Sequence, residues 1–433
     1  MSDHIKAMVE KISNNLIAYR RDFHKHPESG WTEFRTAAII ADKLQSLGYT
    51  VRMGEQAVVK ADMMGVPSDE ELVRHMERAV RQGAKSELVQ AMAGGLTGLI
   101  ADLKCGEGPT VALRFDIDAN DIQEALDDKH FPYRVGFASE NAGAMHACGH
   151  DGHAAMGMVV AELLVQMKDQ LKGTIRLIFE PGEEGSRGAR AMVSAGAVEG
   201  VDYIIGAHVG FQAKKTGQII CSTGKFLATT KLDVTYVGKP AHSAAAPEEG
   251  NNALLAAATC TLNLHAISRH GQGATRITVG TLVAGQGRNV IPPNAIFKME
   301  TRGETSELDE YMDKQARRII KAAADMYDCK YSITQVGGTK SGESSPEMMI
   351  KFKFIAQTMP FFDDIIEYSS FGATEDFSHF MTIVQQNGGI GTYVMIGSDL
   401  TAGHHSNYFD FDESILSPGV ELIIRTVADL ISE

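Results

Sequence analysis

Met145-His146-Ala147-Cys148-Gly149-His150-Asp151-Gly152-His153 sets the reading of the whole chain. Cys148 and His150 stand two residues apart, and on a helix they would face nearly opposite sides. Both reach one metal only from an irregular loop, and Gly149 between them supplies that freedom. Helical periodicity runs from about 153 to 168, so the pair sits where a helix starts. Alone, Cys148 also fits a small buried hydrophobe and His150 a helix cap. The residues that follow tip the balance toward a metal site.

Working outward, Val111 to Phe115, Ile175 to Phe179, Tyr203 to Ala207 and Tyr393 to Ile396 read as buried strands, alternating with helical patterns such as 187–195. That alternation predicts an α/β fold with a doubly wound, mostly parallel sheet. Ligands of such sheets gather beyond the carboxyl ends of the strands. Asp116 and Asp118 follow the first strand, Glu183 and Glu184 the second, and His208 the third. Of adjacent Glu183 and Glu184, one can bind metal while the other serves as general base. Gly182 and Gly185 flank them and permit close backbone approach. His404-His405 adds a further candidate pair, of which one can ligate and the other hydrogen-bond nearby.

Residues 34–47 predict an amphipathic helix ending at Gly48. A helical insertion over about 53–95 opens with a capping-box pattern, Ser68 to Glu71, and breaks near Gly83. From about 224 the texture changes. Thr230 to Val237, Thr275 to Val283, Ala295 to Thr301 and Lys330 to Thr334 read as strands, with helices at Ala253 to Ile267 and Leu308 to Met326. This is the β-α-β-β-α-β order of a ferredoxin-like α+β domain. The expected organisation is a catalytic domain in two parts, 1–223 and 336–433, with an inserted domain at 224–335. The Gly-rich stretch 337–343 is expected as the return linker.

With 433 residues, two domains are the prior. The formal charge of -14 argues against nucleic acid or an anionic membrane as partner. The 5 cysteines are scattered and odd in number, which fits a reducing cytoplasm. Met1 to Ala18 lacks the apolar core of a signal peptide, and no apolar run reaches membrane length.

These motifs carry a resemblance. Arg21-Asp22-Phe23-His24 with Pro27-Glu28, Leu113 to Ala119, Met145 to Asp151, Pro181 to Gly185, His208 and His404-His405-Ser406 resemble the aminoacylase and carboxypeptidase family of dinuclear metallohydrolases. The likeness is to its amidohydrolase branch, with the indole-acetyl-amino-acid and hippurate hydrolases. The resemblance implies an enzyme that cleaves the amide bond of small N-acyl amino acids with two divalent ions, manganese or zinc. It implies Cys148, His150, Glu184, His208 and His405 as ligands, Glu183 as base, and Asp118 as orienter of a ligand. It further implies His242 at the oxyanion, Asn289 and Arg302 on substrate, and the inserted domain as the dimerisation element. A homodimer, or a hetero-oligomer with a related second subunit, follows. Asp116 stands where peptidase relatives place a His ligand, and it is left out of the metal set. A non-catalytic subunit completing a partner's site is the rival reading, and the intact donor set speaks against it. A Rossmann dehydrogenase fails for want of Gly-x-Gly-x-x-Gly after the first strand.

Overall fold

The structure, a computed structural model, describes residues 2–432. They form two compact units. The first holds the chain up to Gly224, Glu343–Phe371 and the stretch from Asp376 onward; the second holds Lys225–Gly342 and Gly372–Glu375.

In the first unit the strands are β1 (Thr50–Arg52), β2 (Leu99–Lys104), β3 (Thr110–Asp116), β4 (Thr174–Glu180), β5 (Tyr203–Val209) and β6 (Gln218–Ile220), joined by Asp364–Ile366 and Ile390–Ile396. They make one 8-stranded sheet in the order β1-β2-β4-β3-β5, then Ile390–Ile396, β6 and Asp364–Ile366. β4, β3, β5 and Ile390–Ile396 run parallel. β1 and β2 add on antiparallel at one side. The central strands are buried on both faces, so they read as nearly continuous apolar runs.

The helices before the second unit are α1 (Ser2–Lys25), α2 (Phe34–Ser46), α3 (Asp69–Arg81), α4 (Ser86–Ala91), α5 (Phe131–Val135), α6 (His150–Gln166) and α7 (Gly188–Ser194). From His150 to Leu164 every residue of α6 is buried. A helix apolar all round belongs in a core. It packs between the sheet and the layer formed by α1 and Leu416–Ile431. Gly157 lets it approach: a Cβ there would lie 2.6 Å from Phe179 and 2.9 Å from Phe115. The neighbouring side chain, Arg114, points the other way, as alternation requires. It meets Asp376 beside helix Phe377–Gln386. Helices therefore cover both sheet faces.

The stretch between β1 and β2 holds α3 and α4, with the Ser68–Glu71 capping box formed and Gly83 left-handed at φ 98°. No helix among the described residues is long and apolar enough to cross a membrane.

The second unit is a 4-stranded antiparallel sheet in the order Lys330–Thr339, Ala228–Val237, Asn294–Gly303, Thr275–Ala284. Helices Ala253–His265 and Ser306–Met326 cover it through Ala256, Cys260, Met312 and Ile320. This is the split β-α-β-β-α-β arrangement. Its far boundary corrects the expected one at 335. That position falls inside the last strand, where Gly337 and Gly338 pair with Lys231 and Thr230 after a register shift at Gln335. Glycine at a bulge reads as a linker in sequence but serves a strand here. Gly372–Glu375 also joins this unit, because Leu227 N–H donates to the Ala373 carbonyl at 2.9 Å. No local pattern announces a pairing so distant along the chain.

Gly157→Val is expected to destabilise the chain by about 1–3 kcal/mol, because the added methyls must displace Phe115 and Phe179. Urea unfolding measures the loss, and unchanged stability would show that the helix stands further from the sheet.

Candidate metal centre

Gly149 is left-handed at φ 95°, so the chain turns between Cys148 and His150, and α6 begins at His150 rather than at His153. The His150 Nδ1–H donates to the Asp118 carbonyl at 2.9 Å, with the Asp118 carboxylate 3.3 Å away. Its Nε2 is buried and has no hydrogen-bond partner. His208 lies within β5, one residue before its end, and its Nδ1–H donates to the Val209 carbonyl at 2.8 Å. Its Nε2 faces the Cys148 Sγ at 3.6 Å. Both imidazoles are thus pinned at Nδ1 and present Nε2, the arrangement a metal-binding histidine requires.

Glu183 and Glu184 lie three residues or more beyond the end of β4, in a turn rather than on the strand. Glu184 N–H donates to Asp118 Oδ2 at 2.9 Å. Asp118 therefore holds both His150 and the Glu184 backbone. Glu184 Oε1 lies 3.1 Å from His405 Nε2, out of line for a hydrogen bond. His405 has φ 64°, unusual for a residue with a Cβ, and its N–H is held by the Ala147 carbonyl at 2.8 Å. Such strain costs on the order of 1 kcal/mol and persists where the surroundings impose it. His404 goes elsewhere: its Nε2–H donates to the Val209 carbonyl at 3.1 Å, and its ring stacks on Phe211 at 4.1 Å. Packing separates the two histidines where adjacency in sequence does not.

Donor atoms of Cys148, Glu184 and His405 lie within 4.8 Å of one another, and so do those of His150, Glu183 and Glu184. Glu184 belongs to both groups. Two further buried groupings contain hydrogen-bonded pairs: Asp116 and His153 beside His150 and His208, and His24, Glu124 and His130. In the first, His153 donates Nδ1–H to Asp116 while its Nε2 accepts Val209 N–H at 3.0 Å, and Arg114 also holds Asp116. In the second, His24 and His130 both reach Glu124 Oε1, at 2.9 and 2.7 Å.

The donor chemistry fits divalent cations. Burial and the nearby Glu184, Glu183 and Asp116 push the Cys148 thiol well above its usual range. A thiolate is stable there only against added positive charge. Burial works against ionisation of Glu184, yet His405 and His150 hold it near about 2, so it stands as a carboxylate. Burial and neighbouring His153 keep His208 well below its usual value, hence neutral and able to ligate.

The remaining expected residues lie in the second unit. His242 is exposed, and its Nδ1 accepts the Ala244 and Ala245 N–H groups at 3.2 and 3.1 Å. The segment pairs with the one bearing Asn289, since Ser243 N–H donates to the Asn289 carbonyl at 3.1 Å. Arg302 is paired with Glu300, at 2.8 and 3.2 Å, on the same face of its strand.

Several residues around the centre were not singled out in the sequence. Asn120 Oδ1 accepts Ala147 N–H at 3.1 Å. Glu33 accepts Gly182 N–H at 2.8 Å and the Thr97 hydroxyl at 2.7 Å. Arg20 donates to Asp151 at 2.9 Å, and to Asp410 and Glu413. Arg20 and Asn120 directly flank the quoted motifs Arg21–His24 and Leu113–Ala119, and that adjacency was the available signal, since a buried polar residue needs a partner.

The Arg20 network carries a pH signature. Burial opposes protonation of His24, but Asp151 at 2.8 Å and Glu124 raise it from 6.5 to about 9. A raised folded-state pKa adds stability that is complete below pH 6.5 and fades as pH rises through about 9. That contribution is on the order of 3 kcal/mol. His24→Phe is expected to lose most stability near pH 6 and to flatten the alkaline decline between 6.5 and 9. Thermal unfolding across that range checks it, and an unaltered decline in the variant would place its source elsewhere.

Comparison with known proteins agrees with this geometry. The profile of Peptidase family M20/M25/M40 matches residues 112–429. Over 426 residues, 98% of each chain, the sequence is 44% identical to one of the subunits of p-aminobenzoyl-glutamate hydrolase from Escherichia coli (strain K12). Over 420 residues, 96% of each chain, it is 43% identical to indole-3-acetyl-aspartic acid hydrolase of Enterobacter agglomerans. The crystal structure of an aminobenzoyl-glutamate utilization protein from Klebsiella pneumoniae superposes with a TM-score of 0.85 at 38% identity, covering 98% of both chains. With its sheet-edge cluster of Cys, His and Glu donors, the chain belongs to peptidase family M20/M25/M40 and is a hydrolase of amide bonds.

Proposed function

We propose that the chain hydrolyses the amide bond of N-acyl amino acids, with p-aminobenzoyl-glutamate as the leading substrate and p-aminobenzoate and glutamate as products. The observation that carries the chemistry is the buried, unpartnered His150 Nε2 beside Cys148, Glu184 and His208. Identities of 44% and 43% do not separate the two relatives' substrates. Indole-3-acetyl-aspartate is the alternative, and both substrates release an acidic amino acid. The E. coli relative is named as one subunit of its enzyme, which supports a hetero-oligomer with a related second chain; the complete donor set supports activity in this one. The second unit exposes Val283 at 72% and Leu262 at 75%, which supports its use as a dimerisation surface. We place the protein in the cytoplasm.

Two divalent ions, manganese or zinc, would be held by Cys148, His150, Glu184, His208 and His405. When bound they supply Lewis acidity, lowering the pKa of water and polarising the scissile carbonyl. Glu183 takes the water proton and passes it to the amide nitrogen as the C–N bond breaks. Asp118 keeps the His150 ring and the Glu184 backbone in register. His242 assists at the oxyanion, Asn289 holds substrate, and Arg302 offers its planar fork to the amino-acid carboxylate.

Glu183→Gln is expected to abolish turnover with metal content nearly unchanged, whereas Glu184→Gln loses metal. Elemental analysis beside a p-aminobenzoate release assay distinguishes them; metal lost from Glu183→Gln and kept by Glu184→Gln would reverse the roles.

Arg302→Ala is expected to raise KM for N-acyl-glutamates by roughly one to two powers of ten, the scale of a charge-assisted pair. The change should be small for substrates with an amidated carboxylate. A panel with p-aminobenzoyl-glutamate, indole-3-acetyl-aspartate and their amides also ranks the two proposed substrates. Equal KM increases on acid and amide would remove Arg302 from carboxylate recognition.

A further inference from the structure

Backbone hydrogen bonds and neighbouring side chains together hold the turn that carries Glu183. Gly182, Gly185 and Ser186 have φ of 63°, 110° and 58°. Glycine adopts left-handed backbone freely, but at Ser186 it is strained and persists only where neighbours impose it. Ser186 N–H donates to the Glu183 carbonyl at 2.6 Å and Arg187 N–H to the Gly182 carbonyl at 3.1 Å, which closes the turn. Glu33 and Asp118 hold its Gly182 and Glu184 N–H groups.

The remaining hold comes from the helical insertion. Arg187 donates Nη2–H and Nε–H to the Glu184 carbonyl, at 2.9 and 3.2 Å, and Nη1–H to the Gly65 carbonyl at 3.1 Å. Trp31 donates its indole N–H to the adjacent Met64 carbonyl at 2.7 Å. Trp31 is fully buried, left-handed at φ 69°, and a Cβ on Gly182 would lie 3.6 Å from its ring. Two consecutive insertion carbonyls are thus gripped by two side chains that also bear on the Glu183 turn. Gly30 leaves room for this. A Cβ there would come within 2.5 Å of Arg187 Nη2 and 3.0 Å of Gly182 Cα.

We propose that Arg187 is a positioning residue for the general base: with Trp31 it fastens the Gly182–Arg187 turn to the Met64–Gly65 turn of the insertion, and so aims Glu183. The proposal rests on the reading of Glu183 as base. The insertion is then a buttress of the active site. Glu184 is also anchored through its N–H on Asp118, so loss of Arg187 loosens the turn without emptying the metal centre.

The test uses the full chain loaded with manganese. Arg187→Ala and, independently, Gly30→Ala are expected to lower kcat about 10- to 100-fold, the scale of a misplaced catalytic group. KM should change less than about threefold, with metal content retained. Arg187→Lys, which keeps one donor, should recover part of kcat. In a Glu183→Gln background neither change should lower residual turnover further, because both act through Glu183. A purely structural role would lower the unfolding temperature and the folded fraction but leave kcat per metal-loaded site unchanged. That result, or equal kcat losses with and without Glu183, overturns the proposal. Full activity in Glu183→Gln alone would instead overturn the assignment of the base, a separately readable outcome.

Discussion

Negative charge withdrawn from water at one edge of the sheet is the constraint on which this site depends. Asp116, Asp118, Asp151, Glu180 and Glu124 are all buried there, and unpaired burial of a carboxylate is prohibitive. The chain answers with its own cations. Arg114 serves Asp116 and Glu180, Arg20 and His24 serve Asp151, and His24 and His130 serve Glu124. Where that provision stops, His150 Nε2 and Glu184 Oε1 are buried without a hydrogen-bond partner. A metal centre is defined as much by this boundary as by its donors.

The boundary also fixes protonation. His153 spends both nitrogens on Asp116 and Val209, while His150 and His208 spend only Nδ1 on carbonyls. Three neighbouring imidazoles thereby take different roles with no difference in residue type. Likewise Asp118 uses a carbonyl and two carboxylate oxygens to keep His150 and the Glu184 backbone together. Residue type and local spacing alone do not assign these tasks.

The parallel strands supply rigidity and the turns beyond them supply chemistry, the usual division in such sheets. Here the turns need outside support. His405 sits at φ 64° against Ala147, and the Glu183 turn leans on Glu33, Asp118 and Arg187. The insertion between β1 and β2 reaches this turn through Met64 and Gly65. A segment that reads in sequence as an appendage thus contacts the scaffold of the candidate metal centre.

Local periodicity determined most of the fold by itself. Continuous apolar runs marked the buried strands, three-and-four spacing marked α2, and Ser68 with Glu71 marked the start of α3, because each signal is carried by adjacent residues. The donor types at strand ends were legible for the same reason, and the family pattern gave them roles. Tertiary structure decided what depends on distant partners. His404 stacks on Phe211 while His405 approaches Glu184. Asp116 is claimed by His153, 37 residues further along the chain. Gly337 and Gly338 enter a strand, because Ala228–Val237 lies alongside to receive them. Each of these choices was made by hydrogen bonding and desolvation between residues far apart in the chain, where no window of sequence holds both partners.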